Sequence, residues 1–135
     1  MRWHLLLVGL YFALQGPVEA KQAQKVVGYA TWYSRASCAK EGTSGIMANG
    51  RALDDQAYTA ASWDYPFGTT LTVCQAPVRV SRHQNPPCIR VKITDRGPSR
   101  HLYLQGRTLD LSKKSFAALA DLSQGVIPVE ITEIQ

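Results

Sequence analysis

Two carboxylates lie in the stretch Thr94-Asp95-Arg96-Gly97-Pro98 and its continuation Gly106-Arg-Thr-Leu-Asp110-Leu-Ser112. Asp95 follows the alternating, β-branched run 89–93, which predicts a strand. Asp110 precedes a predicted helix whose N-cap is Ser112. Paired carboxylates next to a basic loop are typical of acid–base chemistry, so we expect the functional site here.

The N-terminus has the pattern of an export signal. Arg2 supplies a positive charge, an apolar run covers residues 5–14, and Val18-Glu-Ala20 has the spacing of a cleavage site. Ten helical residues rise only about 15 Å, half of a bilayer core. We therefore expect a signal peptide over 1–20, a flexible leader over 21–25, no stable membrane anchor, and a periplasmic or extracellular protein.

Residues 26–135 are enough for one domain. The formal net charge of the chain is +5, which suits an anionic partner such as a cell-wall polymer. The basic residues are scattered and export separates the chain from nucleic acid, so a nucleic-acid partner is not expected. No motif predicts a metal or cofactor, and a monomer is expected.

Three cysteines in an exported chain predict one disulfide and one free thiol. Cys74 ends one strand-like run and Cys88 begins another, so the two can face each other in a hairpin. Cys38 lies in a polar stretch and is left over. Its role stays open between an inert thiol and a redox or pairing function.

Short alternating segments separated by turns predict a small β-barrel. The expected strands are 26–33, 57–61, 69–75, 89–93 and 126–134. Residues 34–50 have no periodicity and are expected to form a long loop. One late helix is predicted from Ser112, with Phe116, Leu119 and Ala120 on its buried face and Gly125 after its end.

Seven short motifs occur in the order found in one known family. The sequence resembles the RlpA (rare lipoprotein A) domain through Gly28-Tyr-Ala-Thr-Trp-Tyr-Ser34, Met47-Ala-Asn-Gly50, Tyr58-Thr-Ala-Ala61, Pro66-Phe-Gly-Thr69, Thr94-Asp-Arg-Gly-Pro98, Gly106-Arg-Thr-Leu-Asp-Leu-Ser112 and Gly125-Val-Ile-Pro-Val129. The resemblance implies a mainly β fold over 26–135, a six-stranded double-psi β-barrel with one or two short helices. More distantly, it implies similarity to expansins and barwin-like proteins.

The resemblance also implies an activity. RlpA-type enzymes are lytic transglycosylases that cut the bond between N-acetylmuramic acid and N-acetylglucosamine in peptidoglycan. A non-catalytic, expansin-like module that binds a cell-wall glycan is the alternative. A secreted protein-binding or inhibitor domain is a third reading.

By their positions in the motifs, Asp95 and Asp110 are the expected catalytic residues. Each also has a structural alternative: Asp110 as a cap of the following helix, Asp95 as the ion-pair partner of a nearby arginine. Two positions depart from the family, with Arg51 in place of a glutamate and Ser62 in place of a histidine. The expected substrate-binding residues are Tyr33, Arg51, Ser62, Trp63, Tyr65 and Arg96.

Overall fold

A computed structural model describes residues 16, 23–76 and 85–135. Six strands close into one barrel in the order β1-β5-β2-β4-β3-β6. The strands are β1 (Lys25–Tyr33), β2 (Thr59–Ala61), β3 (Thr70–Gln75), β4 (Cys88–Asp95), β5 (Arg107–Ser112) and β6 (Ile127–Glu133). The helices are α1 (Arg35–Lys40), α2 (Arg100–Tyr103), α3 (Lys113–Ala117) and a 3-10 helix, Leu122–Gln124. Apart from Gly16, the predicted signal peptide lies outside the described residues.

The barrel mixes parallel and antiparallel pairs. β1 pairs with β5, and β2 with β4, in parallel; β2–β5, β3–β4, β3–β6 and β1–β6 are antiparallel. The expected six-stranded double-psi fold is confirmed. Because the chain closes on itself, no strand of the barrel is left with an unpaired edge.

The barrel interior is filled by alternate residues of each strand, as the period of a pleated strand requires. The buried core includes Leu71, Val73, Val91, Ile93, Leu109, Leu111, Ile127, Val129 and Ile131. Phe116 of α3 is fully buried and packs on Trp32, with ring centroids 6.4 Å apart. The α3 helix therefore contributes a buried side chain to the core.

Two helices differ from the sequence prediction. Residues 35–40 lie inside the predicted loop yet form α1, because Ser34 and Ser37 make a reciprocal capping box. The predicted single helix after Ser112 is two pieces. Ser112 does cap α3, but Asp121 adopts extended backbone and accepts a hydrogen bond from Ser123 N, which starts the separate 3-10 helix. Gly125, with φ of 68°, ends that second piece.

The strand β5 was not among the expected strands, although Leu109 and Leu111 alternate with polar residues. The predicted disulfide is present between Cys74 and Cys88, which are register partners of β3 and β4. Cys38 is free and half-buried. Within the described ranges, no helix has the length and apolar character needed to cross a membrane.

Candidate active site

The two aspartates lie on either side of one alanine. Ala61 of β2 is the register partner of Asp95 on β4 and of Asp110 on β5. Thr31 of β1 is in turn the partner of Asp110. One rung of the barrel therefore runs Thr31, Asp110, Ala61, Asp95 across four adjacent strands. Neighbouring strands are about 4.8 Å apart, so the two aspartate backbones are separated by roughly 10 Å.

Small residues form the floor between the carboxylates. Ala61 is almost fully buried. A Cβ placed on Gly97 would lie 3.2 Å from the Ala61 Cβ and 4.0 Å from the Asp110 Cβ. The Asp-Arg-Gly-Pro loop therefore packs directly on the rung, and a side chain at Gly97 would press on the Ala61 Cβ.

Asp110 is placed as a proton donor and acceptor. Burial raises its pKa from 3.8 to about 7, opposed by the hydrogen bond from Thr31 and reinforced by the charges of Asp95 and Glu41. Thr31 Oγ1 donates that bond to Asp110 Oδ1 at 3.2 Å. A carboxyl group that titrates near neutral pH is suited to general acid–base catalysis.

Asp95 is held by three donors. Oδ1 accepts from the backbone N–H groups of Ala48 and Arg96, both at 2.8 Å, and Oδ2 accepts from the Tyr33 hydroxyl at 2.9 Å. Of the charged pairs within the described ranges, the one ion pair is Lys25–Glu130, so Asp95 makes no ion pair with the arginines near it in sequence. Asp95 instead ties together three chain segments around the rung.

Tyr33 lies near both acids and donates a hydrogen bond to Asp95. Its pKa is raised, first by burial and then by the charge and hydrogen bond of Asp95 and the charge of Asp110. The hydroxyl therefore keeps its proton and remains a donor to Asp95. The neighbouring Thr31 serves Asp110 in the same manner, so β1 supplies one donor to each carboxylate.

A cleft of about 280 Å³ opens over these residues. Asp95, Asp110 and Tyr33 all line this cleft. The lining also includes the apolar residues Ile46, Met47 and Leu53 and the free Cys38. Trp63 and residues 96–99 contribute to it as well. Ligand-binding clefts commonly combine such apolar and aromatic surfaces with a few polar groups.

Arg96 anchors the turn before β3. Its Nη1 donates to the carbonyl oxygens of Ser62 and Tyr65, both at 2.9 Å, and its guanidinium lies 3.9 Å from the Phe67 ring centroid. Arg96 lines the cleft, but these contacts direct its guanidinium toward the loop that carries Trp63.

The remaining predicted binding residues lie outside the cleft lining. Arg51 is exposed and lies in a turn, where its backbone carbonyl accepts a hydrogen bond from Met47 N. Ser62 is fully buried, with no surface to offer a substrate, and its N–H donates to the Asp95 carbonyl. Tyr65 packs on the hydrophobic core. Tyr33, Trp63 and Arg96 are brought together with the two aspartates, whereas Arg51, Ser62 and Tyr65 are not.

Asp110 does not cap a helix. It lies within β5, and Ser112 Oγ accepts the capping bond from Ser115 N. Trp32 packs against the hydrophobic core, with its Nε1 donating to the Leu122 carbonyl. Three groups at the site were not predicted from the sequence as part of it: Thr31, Cys38 and the Ala48 N–H. For Thr31 a signal existed, because alternation in β1 places it on the same face as Tyr33.

The comparisons with known proteins fit this geometry. The model of the family described as lytic transglycolase matches residues 25–131. The chain belongs to that family. The resemblance of its motifs to the RlpA domain is thereby confirmed.

Two relatives of this chain carry the name probable endolytic peptidoglycan transglycosylase RlpA. The protein from Aquifex aeolicus is 34% identical over 122 residues, which are 90% of this chain and 47% of the relative. The protein from Nostoc sp. (strain PCC 7120) is 35% identical over 105 residues, 77% of this chain and 24% of the relative. The chain thus spans half or less of these relatives.

Solved structures of proteins with other names have a fold similar to that of this chain. The Streptomyces papain inhibitor has a TM-score of 0.55 and 25% identity, over 83% of this chain and 96% of the inhibitor. The expansin of Clavibacter michiganensis has a TM-score of 0.54 and 25% identity, over 83% of this chain and 51% of the expansin. Across residues 23–76 and 85–135, no cluster of His, Cys, Asp and Glu is arranged to hold a metal ion.

Proposed function

We propose that the protein is an exported, peptidoglycan-acting lytic transglycosylase that cleaves the bond between N-acetylmuramic acid and N-acetylglucosamine. One observation carries the proposal: Asp110, with a pKa of about 7, lines a cleft together with Asp95, and the single strand β2 separates the strands of the two acids. The names of the curated relatives support the same activity.

The chemistry needs one group that gives and then takes a proton. Protonated Asp110 donates its proton to the glycosidic oxygen as the bond to the sugar's anomeric carbon breaks. The C6 hydroxyl of the same sugar then attacks that carbon, and the Asp110 carboxylate accepts the hydroxyl proton. The products are a 1,6-anhydro sugar and a free hydroxyl on the leaving sugar, with no water consumed. A single carboxyl therefore suffices.

Asp95 has a different task in this scheme. Its oxygens already accept three hydrogen bonds, so it is less available for proton transfer than Asp110. Its charge near the anomeric carbon stabilises the positive charge that develops there in an oxocarbenium-like transition state. The Tyr33 and Arg96 contacts fix the direction of this carboxylate.

Substitution of each acid tests this division of labour. Peptide-free glycan strands are incubated with wild type, Asp110→Asn and Asp95→Asn, and anhydro-sugar products are quantified by mass spectrometry. We expect Asp110→Asn to lower turnover by about 10²–10⁴-fold and Asp95→Asn to leave more residual activity. Absence of anhydro products from wild type at high enzyme loading contradicts the proposed activity.

A second candidate is an expansin-like module that binds a cell-wall glycan without cleaving it. The similarity in fold to an expansin and the replacement of the family's acid and imidazole by Arg51 and Ser62 favour it. It predicts that the wild type sediments with insoluble wall and releases nothing, and that Asp110→Asn sediments equally well. Binding of a cysteine protease in place of a glycan would instead favour an inhibitor, as in the Streptomyces protein.

A further inference from the structure

A second charged group lies beside the cleft. The guanidinium carbon of Arg100 is 3.8 Å from the centroid of the Trp63 ring. Trp63 itself is fixed, because its Nε1 donates to the Pro98 carbonyl at 2.7 Å. Trp63, Pro98 and Ser99 all line the cleft, so the stacked arginine lies next to residues of the cleft lining.

The charge of the Arg100 guanidinium is not paired with a carboxylate among the described residues. Within the described ranges it has no carboxylate oxygen closer than 4.0 Å. The nearby acid, Asp64, accepts a hydrogen bond from the Tyr103 hydroxyl instead. Arg100 is exposed, and stacking on an indole leaves the guanidinium N–H groups at its rim free to donate.

Stacking also restricts the arginine. An exposed arginine normally loses much side-chain entropy when it binds a ligand. Here the indole already holds the planar group at one position, so less freedom is lost when a ligand arrives. One face of Trp63 is therefore occupied by a cation, and the ring acts as support for that cation rather than as an open platform for a sugar.

We propose that Trp63 and Arg100 form a subsite for a carboxylate carried by the glycan, beside the acids that act on the neighbouring bond. A planar guanidinium recognises a carboxylate through two parallel hydrogen bonds. This inference rests on the proposed function for its substrate, a glycan strand, and adds that the bound sugar must bear a free negative charge.

The carboxylate on the sugar is the variable to test. Peptide-free peptidoglycan strands carry a free lactyl carboxylate, and coupling to methylamine converts it to a neutral amide on the same backbone. Fluorescently labelled strands of both kinds are titrated with the protein, and binding is followed by anisotropy. Polygalacturonate, in which the carboxylate belongs to the sugar ring, separates recognition of a lactyl group from recognition of any sugar acid.

Arg100→Gln is the informative variant, since it keeps a planar group with N–H donors but removes the charge. We expect it to weaken binding of the free strands about tenfold and to leave binding of the amidated strands unchanged. Arg100→Lys retains the charge but not the bidentate fork, so it recovers part of the affinity. Arg90→Gln removes the same charge from an exposed position on β4 that does not line the cleft, and is expected to behave as wild type.

Equal binding of free and amidated strands by wild type would overturn the proposal. So would an equal effect of Arg100→Gln and Arg90→Gln, which would indicate general electrostatic attraction. Wild-type binding of polygalacturonate as tight as that of free strands would assign the subsite to sugar acids in general. All titrations, including those with wild-type Arg100, are carried out in the Asp110→Asn background, in which cleavage of the strands is suppressed. An inactive protein with a working subsite is thereby distinguished from failure of both ideas.

Discussion

Asp95 and Asp110 are both register partners of Ala61, one on each neighbouring strand of the barrel. They are 15 positions apart in sequence, yet the barrel brings them to the same rung, with only the strand β2 between their strands. The pairing gives the two carboxylates different surroundings: Asp95 accepts three hydrogen bonds, whereas Asp110 accepts one from Thr31. That asymmetry separates their roles and motivates the first two predictions.

The stability of the protein is expected to fall between pH 4 and 7 because of Asp110. The folded state keeps this proton up to a pKa of about 7, whereas the unfolded chain loses it near 3.8. Stability from the protonated group is therefore complete at low pH and lost as pH rises through 7. The full shift corresponds to roughly 4 kcal/mol, an upper bound because the side chain is partly exposed.

Asp110→Asn removes this titration. Urea unfolding at pH 4, 6 and 8 should show the variant gaining stability relative to wild type as pH rises. Asp121→Asn is the control, because hydrogen bonds from Ser123 lower the pKa of Asp121, so that its contribution is lost only as pH falls below about 4. A pH-independent difference between Asp110→Asn and wild type contradicts the prediction.

Thr31→Val should raise the pKa of Asp110. The Thr31 hydroxyl donates to Asp110 and lowers its pKa, and valine keeps the shape and strand preference without the donor. The acid–base limb of the pH–activity profile is therefore expected to move to higher pH. Thr72→Val, on β3 and outside the cleft lining, should leave the profile in place. A change in activity with no shift of the limb would indicate a packing effect only.

Arg96→Lys should loosen the turn that carries Trp63. Lysine cannot keep both bonds to the Ser62 and Tyr65 carbonyls together with the stack on Phe67. We expect the free energy of unfolding to fall by about 1–3 kcal/mol. Amide hydrogen exchange should become faster only in residues 62–68. Unchanged exchange there, or equal acceleration in β6, would show that Arg96 does not anchor the turn.

The cysteines are expected to separate by function. Replacing Cys74 and Cys88 together by serine removes a crosslink across 14 residues and should lower the free energy of unfolding by about 3 kcal/mol. Cys38→Ser, at the free thiol, should change it by less than about 1 kcal/mol. Chemical denaturation without reductant measures both, and equal effects would argue against a stabilising disulfide.

Gly28 permits the close approach of β1 to β5, with which β1 pairs. A Cβ at this position would overlap Thr108 Oγ1 and lie 2.7 Å from its Cγ2. Gly28→Ala is therefore expected to cost about 1–3 kcal/mol. Adding Thr108→Ala removes both atoms and should recover most of that loss, leaving only a Cβ contact of 3.1 Å. Additive effects of the two substitutions would rule out the predicted clash.

Much of the fold is encoded in short-range patterns. Alternation marked β1, β3, β4 and β6, and the positions of Cys74 and Cys88 at strand ends predicted their disulfide. The helices were predicted less well from local sequence. The capping box of Ser34 and Ser37 starts α1 inside a stretch with no hydrophobic periodicity. The predicted late helix is divided, because Asp121 caps a separate 3-10 helix after α3.

The sequence by itself determined which residue types are available: two motif aspartates, a basic loop and the alternating strands that enclose them. Only the tertiary structure decided what each one does, because function here depends on strand register. Register placed Thr31 beside Asp110, buried Ser62 beneath the Asp95 loop, and directed the Arg96 guanidinium to the turn while leaving Arg100 free of a carboxylate within the described residues. Burial and neighbouring groups, which are set by pairing between distant strands, then gave the two aspartates their different chemistry.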